Sequence, residues 1–344
     1  MKEYEPTALC VYISGKGAPS GNPKCVGFRA DMDALPMVEK NEHLEYRSKN
    51  EGKAHMCGHD GHMACLVGFV PLFLKRLGEV PSDRKIKLLF QPSEEGPGSG
   101  AKKMVEDGCL DDVDEVYGFH NWPSFPAGQI LCKEGPVMSE VTTLKIWIHG
   151  TGGHGSEPEK LKESVRAGNK FYSKAMDYLD EVKAKYEGKF VSTIPVFQAG
   201  EACNVISETC FITGTIRSFV KGLSQEVVEK LESFLKDLTL DGFKYEFKWS
   251  SWPMVVNTEK EADHVLRIGK KVFGEENAHS KGLPVRASED FCYFNDYRPG
   301  AFFFVGTGIE PNQPFLHNAG FNFNDEVIPK ACLNWLELAL DRLQ

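Results

Sequence analysis

Residues 54–62 read Ala54-His55-Met56-Cys57-Gly58-His59-Asp60-Gly61-His62. Imidazoles, a thiol and a carboxylate crowd into one short stretch, with two glycines that free the backbone to turn. Cys57 and His59 are separated by one residue, so two ligand-type side chains on a turning segment can converge on one point. Thiolate and imidazole together suit zinc and its borderline neighbours. The apolar run from Met63 to Leu77 reads as a buried helix, so the cluster sits where a loop enters a helix. This loop is expected to bind metal.

Other residues of the same chemistry end apolar runs elsewhere. Glu95, His120 and His317 join Cys57 and His59 as the expected metal ligands. Taken singly, Cys57 reads more readily as a buried thiol, and His120 as a core histidine about as readily as a ligand. The joint pattern favours ligation. Glu94 and Glu95 are adjacent carboxylates at the end of a buried strand, where side chains point in different directions and are costly to bury without partners. One can hold a metal while the other acts as general base on a water whose pKa the metal lowers. A solvated acidic loop is the alternative for that pair. Asp33 either orients a ligand or forms a turn, and His154 lies in a Gly-rich loop that can present it to a substrate oxyanion. His43, His55, His62, His149, His264 and His279 read as surface or structural.

The elements that must position these groups follow from periodicity. Residues 8–13 and 25–30 are short apolar runs around a Gly/Pro/Ser loop and read as adjacent strands. Asp31 and Asp33 follow the second, two residues apart and so on one side. A helix over 62–77, a strand KIKLLFQ, a helix near 100–107 and the strand EVYGFHNW come next. Strands alternating with helices indicate a mainly parallel α/β sheet with helices on both faces. The strand ends after Ala30, Gln91 and Phe119 carry Asp, Glu and His, at the carboxyl edge where open α/β sheets bind ligands.

Residues 143–149 alternate apolar and polar, as an antiparallel strand with one wet face does. A helix over 160–186, strands over 189–199 and 203–220, a helix over 224–238 and a strand over 244–249 complete the ferredoxin-like order. Residues 140–250 therefore read as an inserted α+β satellite domain, between a first (1–139) and a second (251–344) part of the catalytic domain. The second part holds helices near 260–273 and 329–343, the loop Ser288-Glu289-Asp290-Phe291, and the strand GAFFFVG.

A chain of 344 residues suits two domains of ordinary size. Its net charge of -9 argues against a nucleic-acid surface. The ten cysteines lack CxxC spacing, and those in apolar runs read as small buried hydrophobes. A reducing, cytoplasmic setting is the simplest account. No secretory signal and no apolar run long enough to span a bilayer are read, so no membrane partner is expected.

The segments FRADMDALP, HMCGHDGH, QPSEEGPGSGAKKM, GFHNWP, GTGGHGSEPE, NVIS, GTIRSF, SEDF and LHNAGFNFND, in that order, resemble the motifs of the dinuclear-metal amidohydrolases. That family includes hippurate hydrolases, auxin–amino-acid conjugate hydrolases and N-acetyl-diaminopimelate deacetylases, and is related to aminoacylase and carboxypeptidase G. The resemblance implies two divalent ions, Zn²⁺ or Mn²⁺, on Cys57, His59, Glu95, His120 and His317. It implies Glu94 as general base on a water between the ions and Asp33 as the supporting carboxylate. His154, Asn204 and Arg217 match substrate-binding positions, with a homodimer possible through the satellite domain. The implied reaction cleaves a small-molecule N-acyl amino acid to a carboxylic acid and a free amino acid. A metallo-dipeptidase or carboxypeptidase with the same site, and a non-catalytic paralogue, are the alternatives.

Overall fold

Burial patterns sort the chain into strands buried along their whole length and strands buried at every second residue. The computed structural model describes residues 2–4, 7–96, 98–309 and 313–344, the first three by backbone alone. The first part of the chain holds β1 (Lys2–Tyr4), β2 (Ala8–Ser14), β3 (Lys24–Asp31), α1 (His59–Leu74), β4 (Arg84–Gln91), α2 (Gly100–Glu106), β5 (Glu115–Pro126), β6 (Ile130–Leu131) and β7 (Gly135–Met138). The middle holds β8 (Glu140–His149), β9 (Gly153–His154), α3 (Ser164–Lys185), β10 (Phe190–Ala199), β11 (Val205–Ile206), β12 (Thr209–Ser218), α4 (Leu223–Leu240) and β13 (Lys244–Trp252). The last part holds β14 (Val255–Asn257), α5 (Glu259–Phe273), β15 (Ala278–His279), α6 (Cys292–Tyr297), β16 (Gly300–Gly308) and α7 (Ile328–Leu343). Two units emerge: Met1–Val137 with Val255–Val285 and Glu289–Gln344, and Met138–Met254 with Arg286–Ser288.

The first unit is built on an eight-stranded sheet of order β1-β2-β4-β3-β5-β16-β6-β15. Its centre is parallel: β3 pairs with β4 and β5, and β5 with β16. β3 is buried at every position after its first, and β4 at its last six, as strands covered on both faces must be. Neighbouring residues on β16 show what covers each face. The Phe302 ring lies 4.9 Å from Phe291, just before α6, while Phe303 lies 5.2 Å from Trp335 of α7. Successive side chains on a strand point to opposite faces, so α6 and α7 lie on opposite faces. On the α7 face, Phe28, Phe69 of α1, Phe119 and Trp335 form a buried aromatic core.

One sequence expectation fails here. The strands near 8–13 and 25–30 are not adjacent, because β4 lies between them, antiparallel to β2 and parallel to β3. A strand as apolar as LLF must be flanked on both sides, and the loop between β2 and β3 is long enough to step over it.

The second unit is an antiparallel sheet of order β10-β12-β8-β13, with α3 and α4 packed on its buried face. β12 alternates partly and fully buried positions along its length, the pattern of a sheet covered on one face. Strand, helix, two strands, helix, strand is the ferredoxin-like order. The segment 203–220 is not one strand. Val205–Ile206 instead pairs with Gly153–His154, and the regular strand begins at Thr209. α3 likewise starts at Ser164 rather than 160, after a short turn at Pro158–Lys160. Among the described residues, no helix is long and apolar enough to cross a membrane.

Candidate metal centre

Because β3, β4 and β5 are parallel, their carboxyl ends share one edge. Asp31 sits beside Gln91 in register, and Arg29 beside Gly118, two residues before His120. The loop holding Cys57 reaches this edge and turns into α1 at Gly58. Gly58 has φ +92°, and a Cβ there would lie 2.4 Å from Oδ1 of Asn121. The position therefore demands glycine for its backbone and for its clearance.

His59 opens α1. Its Nδ1 lies 3.1 Å from the Asp33 carbonyl and 3.2 Å from Asp33 Oδ1, while its buried Nε2 has no hydrogen-bond partner. His120 is held in the same way, with Nδ1 2.7 Å from the Asn121 carbonyl and Nε2 3.4 Å from Cys57 Sγ. The ligand atoms of Cys57, His59 and His120 lie within 4.8 Å of one another, as do those of Cys57, Glu95 and His317, and those of His59, Glu94 and Glu95. His317 arrives from the far end of the chain with φ +64°; its N–H donates to the Met56 carbonyl at 2.7 Å, and its Nε2 is 2.7 Å from Glu95 Oε1. The structure thus brings together the five expected ligands and Glu94.

Electrostatics show what the cluster lacks. Burial, then Glu95 and Glu94, push the Cys57 thiol well above its ordinary pKa. Burial pulls the His59 imidazole down, but Asp31, Asp33 and Glu95 outweigh it and push it up to about 9. Burial does most to keep the thiol from ionising, while the carboxylates that add to it also drive the imidazole to protonate, and theirs is a negative field that a cation would relieve. Sulfur, nitrogen and oxygen donors, with a buried Nε2 that makes no hydrogen bond, fit a divalent ion of the zinc type.

A second layer of charge supports these groups. Arg29 is fully buried on β3 and donates to Gln91 Oε1 (2.7 Å), Asp31 Oδ2 (2.9 Å), Glu289 Oε1 (2.7 Å) and Asp290 Oδ1 (3.3 Å). Burial pushes the Asp31 carboxyl up, but Arg29, His59 and His62 hold it well below its ordinary value. Its Oδ1 lies 2.6 Å from Nδ1 of His62, whose Nε2 is 2.7 Å from Asn121 Oδ1. Asp290 accepts from Gln91, Ser99 Oγ and the Ala101 N–H. Glu94 faces Glu289 and Asp290 and is almost wholly buried. Burial and the charges of Glu289, Asp290 and Glu95 hold its carboxyl well above the usual range. Glu95 reaches His317 with Oε1, yet a carboxylate oxygen of Glu95 and one of Glu94 stay within 4.8 Å of each other and of a ring nitrogen of His59.

Arg29, Gln91, Asn121, Glu289 and Asp290 are not among the site residues expected from the sequence, and His62, expected to be surface or structural, is buried in the centre. The usable signal was Arg29, a charge inside the apolar run CVGFRA, which requires buried carboxylate partners. The Glu289-Asp290 pair supplies them.

The remaining expected residues lie in the second unit. His154 is exposed, with Nδ1 2.7 Å from Ser156 Oγ, and pairs in register with Val205. Asn204 is exposed and its carbonyl accepts from the Gly155 N–H at 2.8 Å, so His154 and Asn204 are brought together. Arg217 stands apart on β12 and donates to the Arg286 carbonyl (3.0 Å) and Ser288 Oγ (3.1 Å).

Residues 27–341 match the family model described as Peptidase family M20/M25/M40. The chain is 33% identical over 326 residues to hippurate hydrolase of Campylobacter jejuni, covering 93% of this chain and 82% of that protein. It is 31% identical over 336 residues to N-acetyl-L-cysteine deacetylase of Bacillus subtilis, covering 96% and 77%. Among solved structures it is similar to the Bacillus subtilis YXEP protein, described as a dinuclear metal binding peptidase from the M20 family, with TM-score 0.78, 28% identity, and 98% and 85% of the two chains covered.

Proposed function

Since the chain belongs to peptidase family M20/M25/M40 and is an amidohydrolase, we propose that it hydrolyses N-acyl amino acids to a carboxylic acid and a free amino acid. The observation that carries this reading is the convergence of Cys57, His59, Glu95, His120 and His317 with Glu94 buried beside them. The five side chains would hold two divalent ions, zinc or manganese, with Cys57 common to two of the ligand sets. Such ions supply Lewis acidity, which polarises an amide carbonyl and lowers the pKa of water.

The chain's own residues do the rest. Glu94, with its pKa raised by burial and neighbouring acids, takes the proton of the attacking water. Once it carries that proton the same carboxyl is an acid, so Glu94 returns it to the leaving amine nitrogen. Asp33 holds the His59 ring by Nδ1 and leaves Nε2 without a hydrogen bond, 3.5 Å from Asp31 Oδ2, as the atom that would take an ion. Arg29 anchors Asp31, Glu289 and Asp290, which keeps the surroundings of Glu94 in place. On the resemblance of their motifs, we assign substrate binding to His154, Asn204 and Arg217, with the guanidinium suited to a bidentate grip on a carboxylate.

The test is metal analysis combined with hydrolysis of N-acetyl, N-benzoyl and dipeptide substrates after loading with Zn²⁺, Mn²⁺ or Co²⁺. Release of free amino acid from the N-acyl compounds supports the reading. Turnover of dipeptides alone moves the assignment to a dipeptidase. No turnover of any substrate with the ions bound overturns it.

A further inference from the structure

A cavity of about 500 Å³ opens beside the loop that carries Cys57 and His59, wholly within the first unit. Its walls come from 54–60, which holds those two expected ligands, from 321–323, just beyond His317, and from the polar stretch 39–53. Three contacts fasten these walls together. The His317 N–H donates to the Met56 carbonyl at 2.7 Å, Asn41 Nδ2 to the Phe321 carbonyl at 2.8 Å, and Asn322 Nδ2 to the Tyr46 hydroxyl at 3.1 Å. Met56 lines the cavity, and its carbonyl fixes the backbone of a ligand of the metal centre. The cavity and the metal centre therefore share a wall.

The lining is divided by chemistry. Its buried part is apolar, made by Met56, Phe321 and Phe323. Its exposed part is charged and carries both signs: Arg47, Lys49 and Lys53 against Glu45 and Asp60. Among the described residues, none of these five makes an ion pair or a side-chain hydrogen bond. The remaining acid, Glu39, is already held by the Ser48 N–H at 2.8 Å and by Asn41 Nδ2 at 3.1 Å. His55 also lines the cavity, and its buried Nδ1 has no hydrogen-bond partner, a state that costs free energy until something answers it. A simple anion would leave the two carboxylates unanswered, and a simple cation the three basic groups. A small molecule with a carboxylate, an ammonium and an apolar side chain answers the whole lining.

We propose that this cavity is an effector site for a free hydrophobic α-amino acid, separate from the reacting centre and coupled to it through Met56. The carboxylate of the amino acid would take Arg47 and Lys53, where a guanidinium offers a bidentate grip. Its ammonium would take Glu45 and Asp60, and its side chain would cover Met56, Phe321 and Phe323. An occupant there touches the segments that carry Cys57, His59 and His317, so it changes how firmly those ligands are set. The proposed reaction releases an amino acid of this kind, and only that source of the effector rests on the N-acyl amino acid reading.

The experiment uses the full chain loaded with Mn²⁺ and measures the binding of L-leucine by calorimetry. Arg47→Glu combined with Lys53→Glu alters two exposed, unpaired side chains, so this variant should fold with the metal content of the wild type. It should bind leucine about tenfold or more weakly. Leucinamide, which lacks the carboxylate, and 4-methylpentanoate, which lacks the ammonium, should each bind the wild type about tenfold more weakly than leucine does. Leucine should also shift the Mn²⁺ affinity of the wild type about fivefold or more in competition with a chelator, and that shift should vanish in the double variant. Absence of leucine binding, leucine binding that the double variant retains in full, or a Mn²⁺ affinity that leucine leaves unmoved overturns the effector site. Hydrolysis of N-acetyl-leucine tests the amidohydrolase reading separately, because the calorimetry needs no turnover.

Discussion

Asp33 Oδ1 lies 3.2 Å from Nδ1 of His59, and the far nitrogen of that ring, Nε2, is buried without a hydrogen bond, 3.5 Å from Asp31 Oδ2. The other oxygen of Asp33 accepts from the Glu95 N–H at 2.8 Å. One carboxylate therefore fixes the ring of one expected ligand and the backbone of another. Outer partners of metal-binding histidines typically contribute 10–100-fold in metal affinity. Asp33→Asn should weaken metal binding by about that factor, measured by competition with a chelator. Folded stability without metal should change far less. Unchanged metal affinity would remove Asp33 from its supporting role.

Glu94 is assigned a proton-transfer role and no ligand role. Glu94→Gln preserves its volume and removes the base. General acid–base groups contribute about 10²–10⁴-fold, so kcat should fall by about that much while metal content stays at the wild-type level. Loss of metal together with activity would show that Glu94 acts as a ligand instead.

Much of this centre was legible in the sequence for a simple reason. Asp33, Glu95 and His120 each end an apolar run, and three parallel strands put those ends on one edge. The ferredoxin-like order of the second unit was legible because alternation and helical periodicity survive locally. What could not be read was pairing over long separations. Arg29 meets Glu289 across 260 positions, and neither local pattern names the other. The insertion of β4 between β2 and β3 was hidden for the same reason: strand order is decided by which buried strand must be flanked. His62 stands in a glycine-rich polar stretch that looks solvated, yet it bridges Asp31 and Asn121 inside the protein.

Arg29 should be the most sensitive position outside the ligand set. Removing it leaves Asp31, Glu289 and Asp290 buried without their shared cation. Breaking a buried ion pair on one side costs about 3–5 kcal/mol. Arg29→Met should lower the urea midpoint accordingly, or fail to accumulate as folded protein. Glu289→Gln, which removes one charge from an over-acidic cluster, should cost much less. An Arg29→Met protein as stable as the wild type would show that the network contributes little.

The pH dependence of stability can be tested away from the metal at Asp112. Its carboxylate pairs with Lys85 (2.6 Å) and with Lys87 (2.8 Å), whose side chain is 1% exposed. Burial pushes the Asp112 pKa up, but the two lysines outweigh it and bring it down to about 2. The unfolded value is about 3.9. A carboxyl whose pKa is lower in the folded state stabilises the fold above the unfolded value, and that contribution is lost as pH falls through the folded one. Asp112 is more than a third exposed, so screening limits the effect to about 1 kcal/mol or less. Asp112→Asn should therefore be less stable than the wild type at pH 6. The gap between their urea midpoints should narrow steadily as the pH is lowered from about 4 toward 2. A gap that stays constant across that range would mean that the cost arises from packing around Lys87 and not from the Asp112 charge.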